Sequence, residues 1–223
     1  GATVKNVTIV SGSAKKGIVA GANGGYANVT GVEYENVVGA TSIIGASYDS
    51  TEATTAEELI AALANGGDVA LAADVTINES IVIAKDGNVN LDLNGHVLAY
   101  AVNNDGKASA VIVNNGTLSI INNAQTEAKI TFKAENPDMS TIPSYATNTI
   151  TNEGTLTIGS NVIVENHSEG GASYAVDNKG VFTLNGGTLK GNRCALRIAK
   201  YNQDNVKFIM NGGLVTAIKP SWI

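Results

Sequence analysis

The chain has 223 residues, enough for one or two domains with a full core. It is 43% hydrophobic but only 15% charged, with 14 Lys and Arg against 20 Asp and Glu and a formal net charge of -6. A binder of phosphate backbones needs clustered positive charge, so nucleic acid is excluded as a partner. No run is long and apolar enough for a membrane span, and none has the form of a signal peptide.

Residues 1–50 carry short β-patterned segments. Val7-Thr8-Ile9-Val10 is echoed by Val29-Thr30-Gly31-Val32, and Lys16-Gly17-Ile18-Val19 by Thr41-Ser42-Ile43-Ile44. They read as the terminal coils of a preceding module, with the natural start of the chain expected upstream of Gly1. The pattern then breaks. Thr55-Ala56-Glu57-Glu58 is a capping box, in which Thr at the N-cap and Glu three residues on satisfy each other's free backbone donors. Leu59, Ile60 and Leu63 form one apolar stripe, and Gly66-Gly67 ends the helix. This predicts one short α-helix over about 54–66, capping the start of a second domain at 51–223. A stacked-strand domain exposes core and strand edges at its ends, so it needs such a cap.

Strand-like segments follow at Val69 to Leu71, Val75 to Ile77, Ile81 to Ile83 and Val89 to Leu93, and Asn94-Gly95 makes a turn. From here one unit recurs. Asn152-Glu153-Gly154-Thr155-Leu156-Thr157-Ile158 returns 26 residues later as Asn178-Lys179-Gly180-Val181-Phe182-Thr183-Leu184. With the glycine as marker, one column reads Val89, Leu118, Leu156, Phe182, Phe208. A second reads Leu91, Ile120, Ile158, Leu184, Met210, and a third, before the glycine, Ile83, Ile112, Ile150, Val176. Alternation at period two makes these strands, and self-similarity at this period makes a stack of coils. The expected fold is all-β, a parallel β-helix whose inward columns fill the cylinder. Asn114, Asn152 and Asn178, two residues before the marker, are expected to stack as a structural ladder at the turn.

The interval between Gly116 and Gly154 is the longest. Its excess falls in residues 135–145, which hold Pro137 and Pro143 and cannot continue a central strand. Insertions of this kind project as loops that can carry binding, which singles out Asp138, Met139 and Tyr145. Asp177, beside the asparagine column, and Arg197, one coil on, form a second candidate. Asp92 reads as a solvated outward residue, and His96 and His167 as exposed turn residues with no second His or Cys at ligand spacing. Cys194, the single cysteine, cannot form an internal disulfide and reads as a buried small residue. No metal site is expected; calcium at an acidic corner is admitted, though no Asp-rich repeat is present.

From Thr55 through the Asn-x-Gly-x-Leu-Thr-Ile units the pattern resembles right-handed parallel β-helix proteins of the pectate-lyase-like superfamily. More narrowly it is similar to the non-enzymatic repeat regions of bacterial surface proteins and to phage fibres. The resemblance implies a right-handed parallel β-helix solenoid and an extracellular, cell-surface or virion location. It implies a structural or adhesive segment without catalysis, with glycan or protein as partner and no cofactor; a homo-oligomer is admitted. The alternative it carries is a polysaccharide lyase or glycoside hydrolase. That chemistry needs paired carboxylates or a calcium-held acid with a basic partner; the acids here are scattered, and Arg197-Ile198-Ala199-Lys200 departs from the Arg-Ile-Lys cluster of the hydrolases.

Overall fold

The structure is a computed structural model that describes residues 50–101, 110–132, 148–168, 173–192, 194–199 and 205–218, with four two-residue strands earlier in the chain. Two compact units are present, Gly1–Asp49 and Ser50–Ile223. In the first, β1 (Ile18–Val19), β2 (Ala27–Asn28), β3 (Val37–Val38) and β4 (Ile43–Ile44) pair in parallel, β1 with β3 and β2 with β4. The sequence echo matched Ile18-Val19 to Ile43-Ile44; the strands pair otherwise. Two apolar residues cannot fix a register when Val37-Val38 offers equivalent side chains nearer in the chain. The echo of residues 7–10 lies outside the described residues.

The second unit opens with β5 (Thr51–Ala53) and α1 (Ala56–Asn65). Five coils follow. The first is β6 (Gly67–Leu71), β7 (Val75–Ile77) and β8 (Ile81–Ile83); the second is β9 (Asn88–Asp92), β10 (Val97–Tyr100) and β11 (Ala110–Asn114). The third is β12 (Thr117–Ile121), β13 (Ala128–Phe132) and β14 (Asn148–Asn152); the fourth is β15 (Thr155–Ile158), β16 (Val162–Asn166) and β17 (Tyr174–Asn178). In the fifth, β18 (Val181–Gly191) bends to supply two strands before β19 (Cys194–Ile198), and β20 (Lys207–Ala217) repeats that bend in a further layer.

Every pairing is parallel, and each strand pairs with its equivalent one coil away, so three faces run the length of the unit. The first holds β5, β6, β9, β12, β15 and the start of β18; the second β7, β10, β13, β16 and the end of β18; the third β8, β11, β14, β17 and β19. This is an all-β parallel β-helix, and α1 is the only helix among the described residues.

The core is the set of inward columns. Leu118, Leu156 and Phe182 lie in one register row, Ile120, Ile158 and Leu184 in another, and all six are buried. Phe182 continues onto Phe208 with ring centroids 5.2 Å apart, and Tyr100 onto Phe132 at 5.3 Å. Each fully buried leucine or phenylalanine contributes about 2 kcal/mol, and only stacking achieves that burial. The marker glycines make the stacking close. A Cβ on Gly154 would run into the carbonyl oxygen of Gly116, and one on Gly180 into that of Gly154.

At the adjoining turn, Asn114 Nδ2 donates to Asn152 Oδ1 and Asn152 Nδ2 to Asn178 Oδ1, both at 2.7 Å. Each amide also donates to a carbonyl of the next coil, on Thr155, Val181 and Lys207 respectively. All three asparagines are fully buried. One column is corrected: Ile112 pairs with Ile81, and Ile83 stands opposite Asn114. The turn over residues 84–87 is two residues longer than that at 115–116, so counting back four from the glycine falls two residues short. A slip of two keeps the face, and both isoleucines remain inward.

Thr55 caps α1, its hydroxyl accepting from Glu58 N–H while Glu58 Oε2 accepts from Thr55 N–H. Leu59, Ala62 and Leu63 are buried, and the helix packs on β5, β6, β7 and β8. It thus lies over the first strands of the second and third faces, where β5 supplies no partner.

Candidate functional site

The third face carries the site. Its strands bury two consecutive residues, Val111 and Ile112, Thr149 and Ile150, Ala175 and Val176, so strict alternation fails there. Outside this pair stand two rows: Ala110, Asn148, Tyr174 and Cys194, then Val113, Thr151, Asp177 and Arg197. Three of the connections into this face, residues 101–109, 133–147 and 167–173, are longer than any from first to second face, while 78–80 and 192–193 are short.

Asp177 and Arg197 are register partners on β17 and β19. Arg197 Nε donates to Asp177 Oδ1 at 2.6 Å and Nη2 to Oδ2 at 2.5 Å, a two-pronged pair. Asn148 Nδ2 reaches Oδ2 at 3.4 Å and Thr151 Oγ1 at 3.1 Å. The Asp177 side chain is 2% exposed and that of Arg197 38%. The guanidinium also lies over the Tyr174 ring, 5.0 Å from its centroid. The bond to Asp177 raises the Arg197 pKa above its ordinary value, against the opposing effect of burial. Asn148 Oδ1 is buried and has no hydrogen-bond partner among the described residues.

Of the residues singled out from sequence, the structure brings Asp177 and Arg197 together. Asp138, Met139 and Tyr145 lie outside the described residues. Asn148 and Tyr174 belong to the same constellation and escaped the sequence reading, since the connections 133–147 and 167–173 hide their alignment.

Three expectations are corrected. Asp92 is buried, 4% exposed: its Oδ1 accepts from the N–H groups of Asn94 and Asn123, and Oδ2 from Asn123 Nδ2. It closes a turn that alternation alone could not reveal. Cys194 is exposed, in register with Tyr174 at the start of β19. The histidines are half-exposed and each meets a carboxylate: His96 Nδ1 lies 3.3 Å from Asp74 Oδ1, and His167 Nε2 lies 3.2 Å from Glu165 Oε1. Glu165, nearly buried on the second face, also sits 4.0 Å from Lys129 Nζ and beside Lys190 in register. Among the described residues no group of three or more His, Cys, Asp or Glu side chains is placed to hold a metal ion. Among the described residues no helix is long and apolar enough to cross a membrane.

Comparisons with protein-family models, curated proteins and solved structures give no match to this chain. The functional argument therefore rests on its own residues.

Proposed function

We propose that this chain is a non-catalytic β-helix segment of a larger extracellular protein, a structural or adhesive part of a bacterial surface protein or phage appendage. Its contact with glycan or protein is assigned to the third face and the connections that border it. One observation carries the non-catalytic reading. Both oxygens of Asp177, the acid in the most developed polar constellation, are held by Arg197 and approached by Asn148, and the carboxylate is shut from solvent. A general acid or nucleophile must reach its substrate and change its charge. This carboxylate instead fixes an arginine. Glycine, asparagine and threonine at the corners stack well but exchange no protons near neutral pH.

The test is a panel of acidic and neutral polysaccharides, incubated with and without calcium. The expected result is no new reducing ends and no unsaturated-sugar absorbance. Cleavage that disappears in Asp177→Asn would overturn the reading and favour a lyase or hydrolase.

A further inference from the structure

An asparagine followed by glycine can lose its side-chain amide when the glycine N–H turns onto it, since glycine carries no Cβ to block the approach. Five such pairs fall within the described residues: 65–66, 94–95, 115–116, 185–186 and 211–212. The fold holds four of them. Gly95 N–H donates to Asn122 Oδ1 at 2.9 Å, while Asn94 donates its N–H to Asp92 Oδ1 and its side-chain amide to the Leu71 carbonyl. Gly116 is buried and its N–H donates to Asn114 Oδ1 at 3.2 Å, with Asn115 N–H bound to the Ile83 carbonyl. Asn185-Gly186 and Asn211-Gly212 lie inside the paired strands β18 and β20. Their side chains are tied to each other, Asn211 Nδ2 donating to Asn185 Oδ1 at 2.8 Å.

Asn65 is the exception. It is the last residue of α1 and exposed, and its side chain has no partner among the described residues. Gly66 N–H reaches only the Leu63 carbonyl, at 3.3 Å. That is the last bond of the helix, and helix ends open far more readily than interior turns. Gly66 and Gly67 take φ of 77° and 88°, and a Cβ on Gly67 would meet nothing within 4 Å. The segment therefore has both the backbone freedom and the space to bring the Gly66 nitrogen onto the Asn65 amide.

We propose that Asn65 is a site of spontaneous covalent modification, converted to aspartate and isoaspartate, and that the change loosens the capping helix. The Gly66 nitrogen forms a bond to Asn65 Cγ, the Cγ–Nδ2 bond breaks, and ammonia leaves carrying the proton lost from Gly66. Water then opens the five-membered succinimide. Attack at Cγ gives aspartate; attack at the backbone carbonyl carbon gives isoaspartate, whose main chain runs through the side chain. Either product adds a negative charge to a chain already at -6. It places that charge at the C-terminal end of α1, where the last turn holds no basic residue and an anion is unfavourable. Isoaspartate also lengthens the main chain by one atom just before Gly67, whose register with Val89 begins β6. The seat of α1 on the first coil is thereby disturbed at its hinge.

Ageing the full chain in mildly alkaline buffer, with anion exchange and peptide mapping by mass spectrometry, tests this. The expected result is a species of one added negative charge whose change maps to Asn65. It should form roughly tenfold or more faster than change at the other four pairs, which react only when a turn or strand opens. In urea, with the fold lost, all five should react at similar rates. The Asn65→Gln variant, whose longer side chain closes the ring poorly, should lose the species while keeping the wild-type circular dichroism spectrum. Hydrogen exchange of the separated isoaspartate form should be faster over residues 56–65 than in the unmodified chain. A first change at another of the five, a ranking that persists in urea, or an isoaspartate form with unchanged exchange over the helix would each overturn the proposal.

Discussion

Replacing Leu156 with aspartate tests the register most directly. Leu156 is fully buried between Leu118 and Phe182 in one inward row. Losing its burial costs about 2 kcal/mol. Bringing a carboxylate into the column costs several more, roughly 4–6 kcal/mol, even when it takes up a proton to do so. The sum, about 6–8 kcal/mol, rivals the whole stability of an ordinary domain, about 5–15 kcal/mol. Leu156→Ala, which leaves a cavity but no polar group, should cost about 3 kcal/mol. Thr157→Asp lies one residue on, in the outer row with Ser119 and Thr183, and should cost about 1 kcal/mol or less. Urea titration followed by circular dichroism would rank the three. The expected order of stability is Thr157→Asp, then Leu156→Ala, with Leu156→Asp unfolded or nearly so. Equal midpoints for the aspartates at 156 and 157 would refute the assignment of inner and outer rows.

Gly180→Ala should cost about 3 kcal/mol or more through overpacking, since its Cβ meets the Gly154 carbonyl of the coil below; a thermal melt no lower than wild type would sink that account. Asn152→Leu, in the middle of the ladder, removes the partner of Asn114 Nδ2 and leaves the Val181 carbonyl without its side-chain donor, at about 2–4 kcal/mol. Denaturant titration against Asn115→Ala, half-buried in the equivalent turn one coil earlier, measures the difference. Glu58 has its pKa lowered, chiefly by the Thr54 hydroxyl and then by backbone N–H groups. A depressed carboxylate stabilises above its unfolded pKa and loses that contribution as pH falls through the folded value. Glu58→Gln should therefore lower the melting temperature near neutrality and narrow the gap to wild type below about pH 4; a gap constant with pH counts against the cap.

The repeat was legible because three consecutive coils share a two-residue turn at residues 115–116, 153–154 and 179–180. Equal turns keep like residues at like offsets, so the columns through Leu156 and Ile158 follow directly from the sequence. The longer turn at 84–87 broke the count at Ile83. On the third face, paired inward residues such as Ala175 and Val176 cancel the alternation that would mark an outer row. Asp177 and Arg197 remained visible because the fifth coil is short and Asp177 neighbours the ladder residue Asn178. Asn148 and Tyr174 are set by partners on other strands, across connections of unequal length. The burial of Asp92 depends on N–H groups from two separate turns, and such a convergence leaves no periodic trace.

The backbone hydrogen bonds of all three sheets run along the solenoid, from each coil to the next. A pull on the two ends of this unit therefore does not shear long strands past one another. It opens the bonds of one coil at a time, as a zipper opens, and each opened coil releases its length before the next is loaded. The coils are not braced alike: β6 is bonded to β5 and to β9 and packed against by α1. Under tension the unit yields in steps of one turn, with the helix-braced coil the last to let go.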